Sequence, residues 1–192
     1  MTQDADDRGG GLWLGMLGPL TVERSGEPVP LGGRQQRAVL AFLLIRDGEP
    51  ASVTAVADAL WGERVPVGSM QTVQTYVSHL RDALEPGRDK SAPSRYIGTA
   101  HNGYRLVLDG DQVDAADFED RVTRGLTAVE LGDFETGKAV LTAALGLWRG
   151  AVLADLADYG FVSPVAARYA ELRATATEAL IDARLELGEH GR

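Results

Sequence analysis

The chain has 192 residues, of which 44% are hydrophobic and 24% charged, with no cysteine and a formal net charge of −9. These values are typical of a soluble globular protein with one large or two modest domains, and they exclude disulfides and thiolate metal sites. The acidity lies mainly in the second half, because residues 32–105 carry a net charge of +2 and residues 111–192 a net charge of −7. The charge balance of the first half therefore permits a nucleic-acid-binding domain there.

The N-terminal segment MTQDADDRGGG is acidic and lacks an apolar stretch, so it is not a secretory signal. We expect residues 1–11 to form a disordered leader. No apolar run approaches the roughly 18 residues that a membrane span requires. We therefore predict a cytoplasmic protein with no membrane contact.

Three short apolar runs, separated by Gly-Pro and Ser-Gly dipeptides, predict a small antiparallel sheet with tight turns. These runs are residues 12–17, 20–23 and 29–31. From Gly33 the apolar residues follow a helical period as far as Asp47-Gly48, which predicts a largely buried helix. Ser52 is a suitable N-cap for a second helix over residues 53–61.

Residues 68–84 predict a third helix with two distinct faces. One face is an apolar stripe at helical spacing, formed by Val73, Val77, Leu80 and Leu84. The opposite side carries the amides and hydroxyls of Gln71, Gln74, Thr75 and Ser78. His79 and Arg81 lie on its two flanks. Amides and hydroxyls suit DNA base edges, whereas an ordinary surface helix would carry Glu and Lys. We interpret this helix as a recognition helix; an ordinary solvated polar face is the alternative.

A hairpin is predicted after the third helix. Residues 85–94 contain two prolines and a glycine and are expected to be irregular. Residues 95–99 and 104–108 have the pattern of two strands joined across Ala100-His101-Asn102-Gly103. Three helices followed by such a wing predict a winged helix-turn-helix, in which the third helix enters the major groove of DNA.

Four motifs occur in order over about residues 14–108: LGPLTVERSGEPVPLGGRQQRAVLAFLL, ALWGERVP, TVQTYVSHLRDAL and YIGTAHNGYRL. Together they resemble the OmpR-like winged helix of the Streptomyces antibiotic regulatory protein family, which implies DNA binding. Related winged helices commonly carry arginine where this chain has His79 and His101. We therefore expect a weaker, more pH-sensitive attraction to phosphate. Each histidine can also be an ordinary surface side chain.

The second half is predicted to be helical. The polar string DGDQVDAADF is expected to be a linker with a helix N-cap at Asp114 or Asp117. Apolar spacing predicts helices over residues 118–129, 134–148 and 165–187, with a turn at residues 131–133. LELGEHGR near the C-terminus echoes VELGDFETG, which predicts a tetratricopeptide-like repeat. Because the last turn is followed by no further helix, we expect the chain to be truncated.

The motifs LWRG, LADLADYGFV and ARYAELR of this half resemble the bacterial transcriptional activation domain of the same family. The predicted fold class is therefore mixed: an α+β winged helix-turn-helix over residues 12–109, then an all-α tetratricopeptide-like domain over residues 112–192. No phosphate loop, HExxH zinc motif or GxSxG elbow is present. The acidic residues Asp114, Asp117, Glu119 and Asp120 are explained by a solvated helix N-terminus. We expect no enzyme activity, no metal and no cofactor.

The functional hypothesis is a sequence-specific transcription activator. We expect Gln71, Gln74, Thr75 and Ser78 to face bases, Arg81, His79 and Thr99 to contact phosphates or position the helix, and His101 and Asn102 to probe the minor groove. The resemblance implies that protomers bind direct repeats side by side as a homodimer on DNA and recruit RNA polymerase. The loop at residues 63–68 and the acidic helical domain are the candidate polymerase and dimer contacts. The resemblance also implies biosynthetic gene clusters of actinobacteria as targets.

A second hypothesis remains open at this point. The helical repeat and the winged helix can instead form a protein-interaction module that docks partner proteins without binding DNA. Salt dependence separates the two hypotheses. The affinity for DNA falls steeply as the salt concentration rises, in proportion to the number of phosphates contacted, whereas a pure docking module shows no DNA binding.

Overall fold

The computed structural model describes residues 11–108 and 112–189, so the predicted leader at residues 1–11 lies outside the described residues except for Gly11. It confirms the predicted mixed fold, a winged helix followed by a helical domain. None of the helices in the described ranges is long and apolar enough to cross a membrane. In chain order the elements are β1 Leu12–Gly15, β2 Thr21–Arg24, β3 Glu27–Pro28, α1 Arg34–Leu44, β4 Ala51–Ser52, α2 Val53–Trp61, α3 Ser69–Leu84, β5 Ile97–Ala100, β6 Gly103–Leu106, β7 Gln112–Val113, α4 Asp114–Glu130, α5 Phe134–Leu145, a short 3-10 helix Ala154–Leu156, and α6 Val162–Glu186.

The first sheet has the strand order β3-β2-β1-β7. The β2–β3 hairpin turns through Ser25 and Gly26, both with positive φ angles of 52° and 82°. This two-residue turn pairs Arg24 with Glu27, so the third strand is formed by Glu27–Pro28. The prediction of a strand at residues 29–31 was therefore wrong.

Helices α1, α2 and α3 pack together, and a second sheet of order β4-β6-β5 closes this helical core. Ser52 caps α2 as predicted, because its hydroxyl accepts a hydrogen bond from the Ala55 amide at 3.0 Å. Strand β4 was not predicted and pairs antiparallel with β6. The pairing requires glycine at position 103, since a Cβ there would lie 1.8 Å from the Ala51 carbonyl oxygen.

The second half is helical, as predicted. Helices α4 and α5 form a hairpin whose turn lies at residues 131–133, and they approach closely through small residues. A Cβ on Gly125 would lie 2.6 Å from Leu141, and one on Gly137 would lie 2.6 Å from Val129. Helix α6 starts at Val162, three residues before the predicted position, because Pro164 fits within the first turn of a helix.

The predicted linker contains β7, which pairs in parallel with β1, and the residue that follows it, Asp114, is buried with 1% exposure. Its carboxylate accepts hydrogen bonds from the amides of Met16 and Leu17 at 2.7 and 3.0 Å. It also forms an ion pair with Arg149 at 3.1 Å. Two predictions were wrong here. The N-cap of α4 is Val113 and not Asp114 or Asp117, and Asp114 is not a solvated acid.

A second set of contacts joins the helical half to α1. The Asp155 carboxylate accepts a hydrogen bond from the Leu20 amide at 2.8 Å and pairs with Arg37 at 2.6 Å. Asp158 pairs with Arg34 at 2.7 Å. The predicted domains, residues 12–109 and 112–192, thus meet at a hydrogen-bonded junction, and their limits remain a prediction.

Replacing Asp114 by alanine should lower the free energy of unfolding by about 3 kcal/mol, because two buried amides lose their acceptor and Arg149 loses its ion-pair partner. Urea denaturation followed by circular dichroism measures this change. Asp120 provides the matched control, since it lies on the same helix and pairs with Arg124 at the exposed surface. D120A should cost less than about 1 kcal/mol. Equal losses for the two variants would contradict the assignment.

Candidate nucleic-acid interface

Helix α3 is oriented by its apolar stripe. The helix begins after Gly68, whose φ angle of 82° suits glycine. The stripe packs against α1 and α2, and its four residues have exposed fractions of 0% for Val73, 1% for Val77, 0% for Leu80 and 1% for Leu84. The opposite face of α3 must therefore point away from the core.

The polar face of α3 is open to solvent. Gln71, Gln74, Thr75 and Ser78 are all exposed. The Thr75 hydroxyl donates to the Gln71 carbonyl oxygen at 3.0 Å. The side chains of Gln71, Gln74 and Ser78 make no hydrogen bond with the part of the chain that the structure describes. Their amide and hydroxyl groups are therefore available to an external partner that offers donors and acceptors.

Arg81 connects α3 to the wing. Its Nε and Nη2 atoms donate to the Ile97 carbonyl oxygen at 2.9 and 2.7 Å, and Nη2 also donates to the Thr99 hydroxyl at 2.9 Å. The guanidinium lies 5.5 Å from the centre of the Tyr104 ring. Burial lowers the pKa of Arg81, although an arginine remains charged at neutral pH. Of the two predicted roles for Arg81 and Thr99, these contacts favour positioning.

The tip of the wing is a two-residue turn, His101-Asn102, between the paired residues Ala100 and Gly103. His101 has a φ angle of 45°, and both turn residues are exposed. The Asn102 carbonyl oxygen accepts a hydrogen bond from the Val53 amide at 3.0 Å. The wing is thus fixed to the start of α2, while the side chains at its tip are exposed.

His79 is exposed, and its Nδ1 atom lies 2.7 Å from Nε2 of Gln36 on α1. Three residues earlier, the Tyr76 hydroxyl donates to Oε1 of Gln35. Both glutamines were missed as candidate site residues in the sequence analysis. They lie within the motif GGRQQRAVL, but only the structure shows which helix they contact.

Two further basic residues were also missed. Arg64, in the loop before α3, and Arg105, on β6 opposite Gly98, are exposed. The guanidinium groups of both residues form no ion pair or hydrogen bond within residues 11–108 and 112–189. Clustered His, Cys, Asp or Glu side chains that could hold a metal ion are absent from these residues. The free cations and the uncharged polar face are therefore the features of this surface that suit a polyanion.

Two family models match the chain. The model described as "Transcriptional regulatory protein, C terminal" matches residues 26–106, and the model described as "Bacterial transcriptional activator domain" matches residues 113–192. The first match includes α1, α2, α3 and the wing, and the second includes all of the helical half that the structure describes.

Curated relatives match across both parts. Regulatory protein DnrI of Streptomyces peucetius is 32% identical over 182 residues, which cover 93% of this chain and 67% of DnrI. Transcriptional regulatory protein EmbR of Mycobacterium tuberculosis is 40% identical over 177 residues, or 92% of this chain and 45% of EmbR. Regulatory protein AfsR of Streptomyces coelicolor is 35% identical over 185 residues, or 96% of this chain and 18% of AfsR. The chain therefore spans less than half the length of EmbR and AfsR.

A solved structure has the same fold. The structure of Mycobacterium tuberculosis EmbR in complex with a low affinity phosphopeptide superimposes with a TM-score of 0.85 at 39% identity. The match covers 92% of this chain and 46% of that chain. The arrangement of winged helix and helical half is thus shared with a transcriptional regulator.

Replacing Arg81 by alanine should release the wing and lower the free energy of unfolding by about 2 kcal/mol, because the Ile97 carbonyl oxygen loses two charged donors. Hydrogen–deuterium exchange should become faster in β5 and β6. Arg105 on β6 is the matched control, and R105A should leave both the exchange rates and the stability close to those of the wild type. Unchanged exchange in R81A would show that Arg81 does not hold the wing.

Proposed function

Because the chain belongs to the Streptomyces antibiotic regulatory protein family of transcriptional regulators, we propose that it is a sequence-specific DNA-binding activator. The observation that carries the proposal is the two-sided character of α3. Its stripe is buried, while the side chains of Gln71, Gln74 and Ser78 are exposed and have no hydrogen-bond partner within the described residues. Such a helix can enter the major groove without any rearrangement of the core.

In this proposal the polar face reads base edges. Glutamine amides pair with adenine, and serine and threonine hydroxyls accept or donate to several bases. Gln71, Gln74, Thr75 and Ser78 fill this role, and His79 lies at the edge of the face. Arg64 and Arg105 neutralise phosphates, because they are exposed and have no acidic partner in the described ranges. Arg81 and Thr99 set the position of the wing.

The wing supplies the second contact. His101 and Asn102 project from a short turn that is fixed to the start of α2. Small polar side chains at such a tip can reach the minor groove, where they read groove width and the acceptors shared by A·T pairs. In this role the wing orients the protein on the duplex more than it selects a sequence.

We further propose that two protomers bind direct repeats side by side and recruit RNA polymerase, at promoters of biosynthetic gene clusters in the bacterial nucleoid. Family membership supports this proposal. The loop at residues 63–68 is a suitable polymerase contact, since Val65 and Val67 have exposed fractions of 41% and 106%. The acidic helical half is the second candidate surface for polymerase or for the neighbouring protomer.

Selection of bound fragments from genomic DNA provides the operator, and the fragments should contain tandem repeats in one orientation. Replacing Gln74 and Ser78 together by alanine should then reduce the preference for the operator over random DNA by about 10- to 100-fold, because two base contacts are lost. Fluorescence anisotropy at several salt concentrations measures this ratio.

The double variant T142A/T177A is the control for this experiment, because both threonines are exposed on α5 and α6. It should bind like the wild type. Binding to random DNA by Q74A/S78A should also stay within about twofold of the wild type, since phosphate contacts are unchanged. If the wild type binds no fragment at any salt concentration, the protein-docking hypothesis is favoured.

Replacing Val67 by serine should leave operator affinity within about twofold but reduce activated transcription several-fold, because an exposed apolar contact with polymerase is lost. In vitro transcription with the RNA polymerase of the host bacterium measures the effect. L131S is the comparison variant. Leu131 is another exposed apolar residue, with an exposed fraction of 80%, but it lies in the α4–α5 turn. If L131S alone reduces transcription, polymerase contacts the helical half and not the loop.

A further inference from the structure

The first turn of α1 contacts two different parts of the protein. Arg34 and Arg37 pair with acids of the helical half, whereas Gln35 and Gln36 lie between them in sequence and contact α3. The contact of Gln36 with His79 has a chemical consequence for the proposed recognition surface, because histidine can present either a donor or an acceptor.

The amide of Gln36 is fixed in orientation. Its Oε1 atom accepts a hydrogen bond from the Gly33 amide at 2.7 Å. The same oxygen lies over Gly32, where a Cβ would approach it to 1.7 Å. Exchanging the oxygen and nitrogen of this amide would set two donors against each other. The amide nitrogen of Gln36 therefore faces His79.

The orientation of Gln36 selects one tautomer of the His79 ring. An amide nitrogen only donates, so Nδ1 of His79, 2.7 Å away, must accept. An imidazolium would carry a proton on Nδ1 and would oppose the Gln36 amide. The contact therefore matches the tautomer of His79 that carries its proton on Nε2. No hydrogen bond engages Nε2 among the described residues.

We infer that Gln36 is a positioning residue that holds His79 as a neutral imidazole with an outward Nε2–H donor for an acceptor atom on DNA. This inference rests on the proposed function. The acceptor is either a phosphate oxygen or a base atom in the major groove, such as N7 or O6 of guanine. At this edge of α3, His79 contributes a directional hydrogen bond and not a positive charge. This differs from the sequence expectation of a pH-sensitive attraction to phosphate.

The first test uses the free protein. Histidine-selective 15N NMR distinguishes the tautomers, and comparison with H79A assigns the His79 signals among the three histidines of the chain. The wild type should show an unprotonated Nδ1 and a protonated Nε2. Q36A should show averaging between the two tautomers. In Q36E the carboxylate can accept from both Gly33 and the ring, so Nδ1 should become protonated.

Q36E should fold normally, because glutamate at this position completes the capping interaction with the Gly33 amide. Q112E is the control, since it adds the same charge at an exposed glutamine on β7. It should leave the His79 signals unchanged. A protonated Nδ1 in the wild type, or identical His79 signals in the wild type and Q36E, would overturn the inference.

The second test uses the selected operator. H79A should weaken operator binding about three- to tenfold, as expected for one neutral hydrogen bond, and should leave the slope of log affinity against log salt unchanged. A fall in this slope by about 0.9 would show a cationic phosphate contact and overturn the inference. An unchanged affinity would overturn it as well.

Modified operators identify the acceptor. If the donor faces N7 of guanine, the effect of H79A should disappear on DNA with 7-deazaguanine at one position; if it faces O6, the effect should disappear with 2-aminopurine at one position, which keeps N7 but lacks O6. If it faces the backbone, the effect should disappear on DNA with a methylphosphonate at one position, in the diastereomer whose methyl group replaces the oxygen that accepts the hydrogen bond. Should the wild type bind no DNA, the proposed function fails, while the NMR comparison still decides whether Gln36 controls the His79 tautomer.

Discussion

The structure depends on the burial of one stripe along α3. Val73, Val77, Leu80 and Leu84 are almost inaccessible to solvent. Burial of four such side chains contributes about 6–10 kcal/mol, which is comparable to the whole stability of a domain. Rotation of α3 by even one residue would expose part of this stripe. The same apolar contact that holds the winged helix together therefore determines which side chains of α3 face outward.

Two carboxylates of the helical half fasten it to the winged helix in the same way. Asp114 and Asp155 each accept hydrogen bonds from backbone amides of the segment after β1 and each pair with an arginine, Arg149 or Arg37. Part of the acidity of the second half is therefore structural and not available to partners. A carboxylate that satisfies both a charge and otherwise unpaired amides is costly to remove, which makes this junction sensitive to single substitutions.

Apolar period and turn chemistry predicted the helices of the winged part, the wing and the exposed side of α3. They did not predict β4 or β7, because two residues are too few to show an alternating pattern. The burial of Asp114 could not be predicted, because its hydrogen-bond partners Met16 and Leu17 are 98 and 97 positions away in sequence. For the same reason helical geometry placed Arg81 and His79 on the flanks of α3 but could not identify their partners on the wing and α1. The local sequence pattern thus predicts whether a site residue is exposed, whereas the residues that it contacts depend on the tertiary structure.

The parallel pairing of β1 with β7 returns the chain to its first strand immediately before α4. The helical half is therefore hydrogen-bonded to the first sheet at its start. If α3 occupies the major groove as proposed, the position of that groove determines the side of the duplex on which the helical half lies. Because B-DNA completes a turn in about 10.5 bp, the proposed activator role implies that the rotational phase between operator and promoter affects activation.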